Sequence, residues 1–195
     1  MSEVTSVALV GVGGQGILLA SEIIAEAALL SGLEVKTNEV HGMAQRGGSV
    51  IAQIRFGREV HSPLISRGEA RVLGALEKIE ALRFASCLAP DGVAVVSRQE
   101  IVPVTVSSGA AVYPADAEER LRQCFAHLAL VDALEIAEGL GSPKSANVVI
   151  VGALSRHLPL EETVWEKALE KRVKPAFLEV NRRAFAAGRA LTAPV

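Results

Sequence analysis

The sequence predicts an α/β protein, a mainly parallel sheet flanked by helices with a helical C-terminal part. Three observations carry that prediction. The chain opens on a β-branched run, VTSVALV, that passes straight into a Gly-rich turn and then into a long apolar helical pattern. Further apolar runs of strand length recur between loops and helical stretches over roughly the first two-thirds of the chain. Beyond about residue 140 the pattern is helical, which reads as helices covering a sheet and not as a second domain. The 195 residues are thus expected to form one domain, 1–195.

Taken in order, Val4–Val10 reads as a buried strand. After the turn, ILLASEIIAEAALLSG has apolar residues at helical spacing and closes on Gly32. Leu33–Asn38 alternates as a second strand, so the opening is a strand–helix–strand unit, Rossmann-like in character. Residues 39–48 form a polar loop, Ser49–Phe56 a strand, and 57–68 a second loop containing Pro63. Ala70–Ala75 is a short strand, 76–88 an amphipathic helix, Pro90-Asp91-Gly92 a turn and Val93–Ser97 a buried strand. Ile101–Val106 and Ala110–Tyr113 are strand-like, and Asp116–Leu140 reads mostly as helix. Helices follow over Ser145–His157, over Leu160–Val173 with acids at its start, and from Pro175 to about Ala190.

Composition excludes several classes. Half the residues are apolar and 22% are charged, enough to build a core. Twenty Lys+Arg against 22 Asp+Glu give a net charge of −2, so no basic field is available for nucleic acid. Apolar runs are interrupted before the length of a membrane span, and the acidic N-terminus lacks a signal peptide's basic region. A cytoplasmic protein is expected. The two cysteines, Cys87 and Cys124, are too few for a four-thiolate iron–sulfur cluster, and the four histidines are scattered. Both cysteines read as small buried apolar residues.

Two motifs stand out. Gly11-Val12-Gly13-Gly14-Gln15-Gly16 satisfies G-x-G-x-x-G between a strand and a helix. Glycines there permit a tight turn, a bare backbone facing a ligand, and close helix–strand packing, while the helix start presents unpaired N–H groups to an anion. Three readings follow: a dinucleotide site with Glu39 as the ribose acid, a seat for a phosphate, pantetheine or partner backbone, or a turn that only solves packing. The second motif, His41-Gly42-Met43-Ala44-Gln45-Arg46-Gly47-Gly48, is a Gly-rich loop expected on the same crevice. Arg46 suits a carboxylate or phosphate, or else a salt bridge. His41 is the other candidate for chemistry or a simple cap, and no residue is a certain catalyst. His61 and Asn147 are weaker candidates for the crevice; Asn147 begins an apolar helix. The Lys/Arg residues from 167 to 183 alternate with acids as a solvated face, and Trp165, Phe177 and Phe185 read as core or interface.

With GVGGQGILLASEIIAEAALLSG, KTNEVHGMAQRGGSVIAQIRFG and the Asn147–Leu154 segment NVVIVGAL, the chain resembles the gamma subunit or domain of 2-oxoacid:ferredoxin oxidoreductases. The HGMAQRGGSV form is most similar to the small (beta) subunits of its indolepyruvate branch. The likeness spans about residues 4–190 and is most specific in the first 57, while 98–125 carry no matching motif. It implies oxidative decarboxylation of aryl 2-oxoacids, with coenzyme A capturing the acyl group and ferredoxin taking electrons. It further implies that thiamine diphosphate, Mg and iron–sulfur clusters sit on a large partner subunit, with no cofactor on this chain. Carried over, Gly11, Gly13, Gly14, Gln15 and Gly16 form a ligand or partner turn. Gln45, Arg46, Gly47 and Gly48 form the loop facing the partner's active site, where the chain walls the site and helps hold coenzyme A. A free-standing NAD- or FAD-binding oxidoreductase and a purely structural assembly subunit are the rival readings.

Overall fold

A computed structural model describes residues 4–42, 47–101 and 112–191. The first strand, β1 (Thr5–Val12), is buried along its whole length, as its two-sided apolar sequence requires. Helix α1 (Ile17–Leu30) follows, and then β2 (Glu34–His41) and β3 (Ser49–Gly57). The chain continues through β4 (Ala70–Ala75), α2 (Lys78–Arg83), β5 (Leu88–Ser97), α3 (Ala117–Cys124) and β6 (His127–Val131). It ends with α4 (Ala133–Gly139), α5 (Ala146–Ser155), α6 (Glu162–Arg172) and α7 (Leu178–Ala190).

The sheet order is β2-β3-β1-β4-β5-β6. β1, β4, β5 and β6 run parallel, whereas β3 is antiparallel to both β1 and β2. The expected α/β, mainly parallel sheet is therefore present, with one strand reversed and inserted between the two strands of the opening unit. Alternation along β1 divides the core. Val7 and Leu9 join a cluster with residues of α1 and α4–α7, while Ala8 and Val10 join a second cluster with α2 and α3. Trp165 is fully buried in the first cluster, with its ring tilted against Phe185 at 5.6 Å.

Local chemistry explains the element ends. α1 closes on Gly32 at φ +76°, with Gly32 N–H donating to the Leu29 carbonyl and Leu33 N–H to that of Ala28, the paired bonds of a Schellman end. Glu26 of α1 is buried and accepts from Lys171 at 2.9 Å and Arg172 at 2.6 Å, tying α6 to α1. Where α5 crosses α7, Gly152 and Gly188 leave room for backbone against backbone; a Cβ on Gly188 would overlap the Val149 carbonyl.

Four expectations are corrected. Pro90-Asp91-Gly92 lies inside β5, as an irregularity in which Ala70 to Val72 of β4 pair with Leu88 to Val93. The helix expected over 76–88 shrinks to α2, followed by a 3₁₀ turn at Ala85–Cys87. The region expected as one helical stretch, 116–140, contains β6, because HLALV pairs with β5 across the chain and that pairing overrides its helix propensity. Cys124 is exposed, on the open side of α3, while Cys87 is half-buried and burial pushes its thiol pKa up. The strands expected over 101–106 and 110–113 fall largely outside the described residues.

Candidate functional site

β1, β4 and β5 end side by side at one edge of the sheet, and the chain order reverses between β1 and β4. In open α/β sheets the crevice forms at such a reversal, beyond the carboxyl ends of the strands. A cleft of about 660 Å³ opens there, bordered by Val12, the 13–16 turn, Leu76 after β4, and Ser97 at the end of β5.

The turn is built by specific residues. Gly11 and Val12 are still paired with Val50 and Ser49, so β1 ends two residues later than expected and the turn proper begins at Gly13. A Cβ on Gly11 would approach Gln15 Oε1 to 2.8 Å and Leu76 Cβ to 3.1 Å, so this position packs the turn against β4. Gly14 (φ +105°) and Gly16 (φ +79°) take left-handed backbone that other residues rarely adopt. Gly16 faces the Asn147 amide so closely that a Cβ would overlap it.

Two amides hold this shape. Gln15 Oε1 accepts from Val12 N–H at 2.7 Å, and Gln15 Nε2 donates to the Leu76 carbonyl at 2.7 Å and to Gln99 Oε1 at 2.9 Å. Asn147, buried at the start of α5, donates from Nδ2 to the Gly16 carbonyl at 2.9 Å, and its Oδ1 accepts from Val148 N–H. Gln15 and Asn147 both border the cleft, but these bonds engage them with the frame.

The second motif does come to the same place. Gly13 N–H donates to the Gly48 carbonyl at 2.8 Å and Gly47 N–H to the Gly13 carbonyl at 3.3 Å, so the loop's end is laced to the turn. Ser49 Oγ then donates to the Glu80 carboxylate, fastening the loop's exit to α2. Gln45 and Arg46 lie outside the described residues. His41, at the end of β2, is exposed and two strands from β1. His61 is on the surface 3.7 Å from Glu59. Glu39 accepts from Ser21 Oγ of α1 at 2.9 Å, an intramolecular partner in place of a ribose.

Reading the sequence did not single out Leu76, Ser97, Gln99, Ile101, Leu134 and Lys144, all of which border the cleft. The signal for Ser97 and Gln99 was available, since a segment leaving the carboxyl end of a central strand faces the crevice. The walls are mostly apolar, and Lys144 supplies a cation at the rim. Both α1 and α5 begin at the cleft without a side-chain cap and without an acid in the first turn. The partial positive end of α1 therefore remains uncompensated by side chains, while at α5 Asn147 Oδ1 takes up one first-turn N–H. Next in sequence to Leu76, buried Glu77 accepts from Glu80 N–H at 2.9 Å and from the Tyr113 hydroxyl at 2.7 Å. Burial, and next the bond to Glu77, hold the Tyr113 pKa well above its ordinary value. Among the described residues no three His, Cys, Asp or Glu side chains gather as a metal site, and no helix is long and apolar enough to cross a membrane.

The description of the family pyruvate ferredoxin/flavodoxin oxidoreductase matches residues 6–191. The chain belongs to that family. Within it, the chain is 42% identical over 188 residues to an indolepyruvate oxidoreductase subunit IorB of Archaeoglobus fulgidus, covering 94% of this chain and 92% of the relative. The IorB subunit of Thermococcus kodakarensis is 38% identical, covering 94% and 93%. Among solved structures, the gamma subunit of a keto/oxoacid ferredoxin oxidoreductase from Geobacter sulfurreducens superposes with a TM-score of 0.70 at 25% identity, covering 94% of this chain and 95% of that one. The family resemblance carried by the Gly turn and the GMAQRGG loop is thus correct, and so is the fold it implied.

Proposed function

We propose that this chain is the small subunit of a 2-oxoacid:ferredoxin oxidoreductase that converts indolepyruvate or related aryl 2-oxoacids to the acyl-CoA, and that it is inactive alone. Near full-length identity to subunits named for indolepyruvate carries the reading. The cleft supports the chain's share of the work. Apolar walls suit the pantetheine arm of coenzyme A, and the uncapped start of α1 with Lys144 at the rim suits an anionic group. Coenzyme A, when bound, supplies the thiol that takes the acyl group. This chain binds and orients it, and keeps water from the wall of the active site. Gly13 and Gly14 bare the backbone for that contact, Gly11 and Gly16 let the turn pack against Leu76 and Asn147, and Gln15 and Asn147 hold it. Gln45, Arg46, Gly47 and Gly48 belong to the loop assigned to face the partner's active site, where Arg46 engages an anionic group, while His41 ends β2 ahead of that loop.

Cys87 and Cys124 sit on separate elements and do not fit an iron–sulfur cluster. Thiamine diphosphate, Mg and the clusters are accordingly assigned to a large partner subunit, through which ferredoxin takes the electrons, in the cytoplasm.

Co-expression with that partner tests the assignment. The complex should oxidise indolepyruvate with coenzyme A and ferredoxin, whereas either subunit alone should not. In the complex, Arg46→Ala should lower turnover at least tenfold, the scale of one lost charge-assisted bond, without loss of assembly. Normal turnover in an intact complex would remove Arg46 from the site. Weakened association with an unchanged KM for coenzyme A would make the chain an assembly subunit only.

A further inference from the structure

Gln99 borders the cleft, and its amide is oriented by its neighbours so that its nitrogen is left over. The orientation follows from chemistry that allows one solution. Val12 N–H is a donor, so the Gln15 atom it meets is the oxygen. The Leu76 carbonyl is an acceptor, so the Gln15 atom it meets is the nitrogen. These two backbone groups remove the usual ambiguity of an amide flip. Gln15 Nε2 then donates its second hydrogen to Gln99, so the Gln99 atom facing Gln15 is its oxygen. Gln99 Nε2 is left pointing elsewhere.

The backbone of Gln99 is spoken for as well. Its N–H donates to Ser97 Oγ at 3.3 Å, and its carbonyl accepts from Lys78 N–H at 3.3 Å. The residue is half-buried and borders both the cleft and a smaller hollow beside Arg98 and Asp132, and among the described residues its side chain is bonded through Oε1 alone. A side chain held at its backbone and at one end of its amide loses little freedom when it binds, so its remaining donor is pre-organised.

We infer that Gln99 is a specificity-determining residue that donates its Nε2 amide hydrogens to an sp² oxygen, a carbonyl or amide, of the molecule entering the cleft, and that Gln15 is the positioning residue that sets this polarity. The inference rests on the oxidoreductase reading for the identity of that molecule. Two substrates carry such an oxygen, the pantetheine arm of coenzyme A and the 2-oxoacid.

Gln99→Glu separates recognition from framework. One carboxylate oxygen still accepts from Gln15 Nε2, so the frame is kept, but the cleft now meets an acceptor where it met a donor. In the assembled enzyme the expected result is a KM at least tenfold higher for whichever substrate carries the oxygen, with kcat within about threefold, as for an interaction made equally in ground and transition states. A rise confined to coenzyme A assigns the oxygen to pantetheine, and one confined to the 2-oxoacid assigns it there. Gln99→Met, which removes the donor without adding charge but also the acceptor for Gln15 Nε2, should raise the same KM about threefold to tenfold, the range of one neutral hydrogen bond, and with an unchanged melting temperature it decides the matter if Gln99→Glu fails to assemble. Both KM values within twofold of wild type, in a complex with unchanged melting temperature, would overturn the inference.

If the wild-type complex oxidises no 2-oxoacid, the oxidoreductase reading falls and Gln99 is judged on the full chain by ¹⁵N NMR. Its side-chain NH₂ pair, identified by its loss in Gln99→Glu, should shift on addition of pantetheine or indolepyruvate. A pair that moves with neither would reject the role.

Discussion

Gly16 shows most directly how one residue sets the site. It combines a left-handed backbone with the closest approach of the 13–16 turn to α5. Gly16→Ala meets both penalties. The backbone conformation costs an L-residue about 1–2 kcal/mol, and displacing Asn147 forfeits a hydrogen bond worth about 1 kcal/mol. A loss of about 2–3 kcal/mol is expected from these terms, measured as a lower urea midpoint with unchanged slope. Gly14→Ala has open space around it and should cost only the backbone share of about 1–2 kcal/mol. Equal losses at the two positions would show that the Asn147 contact contributes nothing. Only the first half of this was legible in the sequence. G-x-G-x-x-G announces glycines of special backbone, but Asn147 is 131 residues distant from the residue it holds, and no local pattern announces that pairing.

Among the elements, α1 and α6 are joined by a buried carboxylate between partly exposed cations. Lys171, followed by Arg172, holds the Glu26 carboxyl below its ordinary range, although burial opposes this. A folded pKa below the unfolded one adds stability that is present above the unfolded value, near 4.5, and is lost as pH falls through the folded value. Because Lys171 and Arg172 keep much of their surface in water, the contribution is set at about 1–2 kcal/mol, between the exposed and buried limits. Glu26→Gln should therefore be less stable than wild type by that amount at pH 7, and the two curves should converge as pH falls below 4.5 and through the lowered folded value. Urea titrations at several pH values check this; a gap that persists at pH 3 would mean that packing, not charge, carries the effect. The elements themselves were legible where their signals are local. β1, α1 and β4 lie close to their expected bounds because a buried strand, a Schellman glycine and a short apolar run each announce themselves. β6 did not, since HLALV sits between helix-forming stretches and becomes a strand only by pairing with β5. Pro90-Asp91-Gly92 has turn chemistry but lies within β5, because a sheet can absorb extra residues as a bulge.

At the scale of the whole molecule, one inserted strand separates this protein from a dinucleotide-binding fold. The opening strand–turn–helix–strand reads like such a fold, and Glu39 falls near the expected acid position. That comparison assumes that β1 and β2 are neighbours. Here β3 lies between them, so β2 is two strand spacings from β1, about 10 Å. Glu39 is moved away from the turn and is engaged by Ser21. The same insertion brings the start of β3, and with it Gly47 and Gly48, against Gly13, where a second loop can contribute to the cleft. Strand order depends on pairings between distant segments, so neither consequence is written in any local motif. The prediction is that NAD and FAD do not bind at this turn. Calorimetric titration of the chain with either should show no saturable heat up to about 1 mM, a binding energy of no more than about 4 kcal/mol. Ser21→Ala, which frees the Glu39 carboxylate, should not create affinity, because the distance remains. A dissociation constant below about 100 µM for either nucleotide would require the acid of another element to serve the ribose, and would restore the nucleotide-binding reading of the Gly turn.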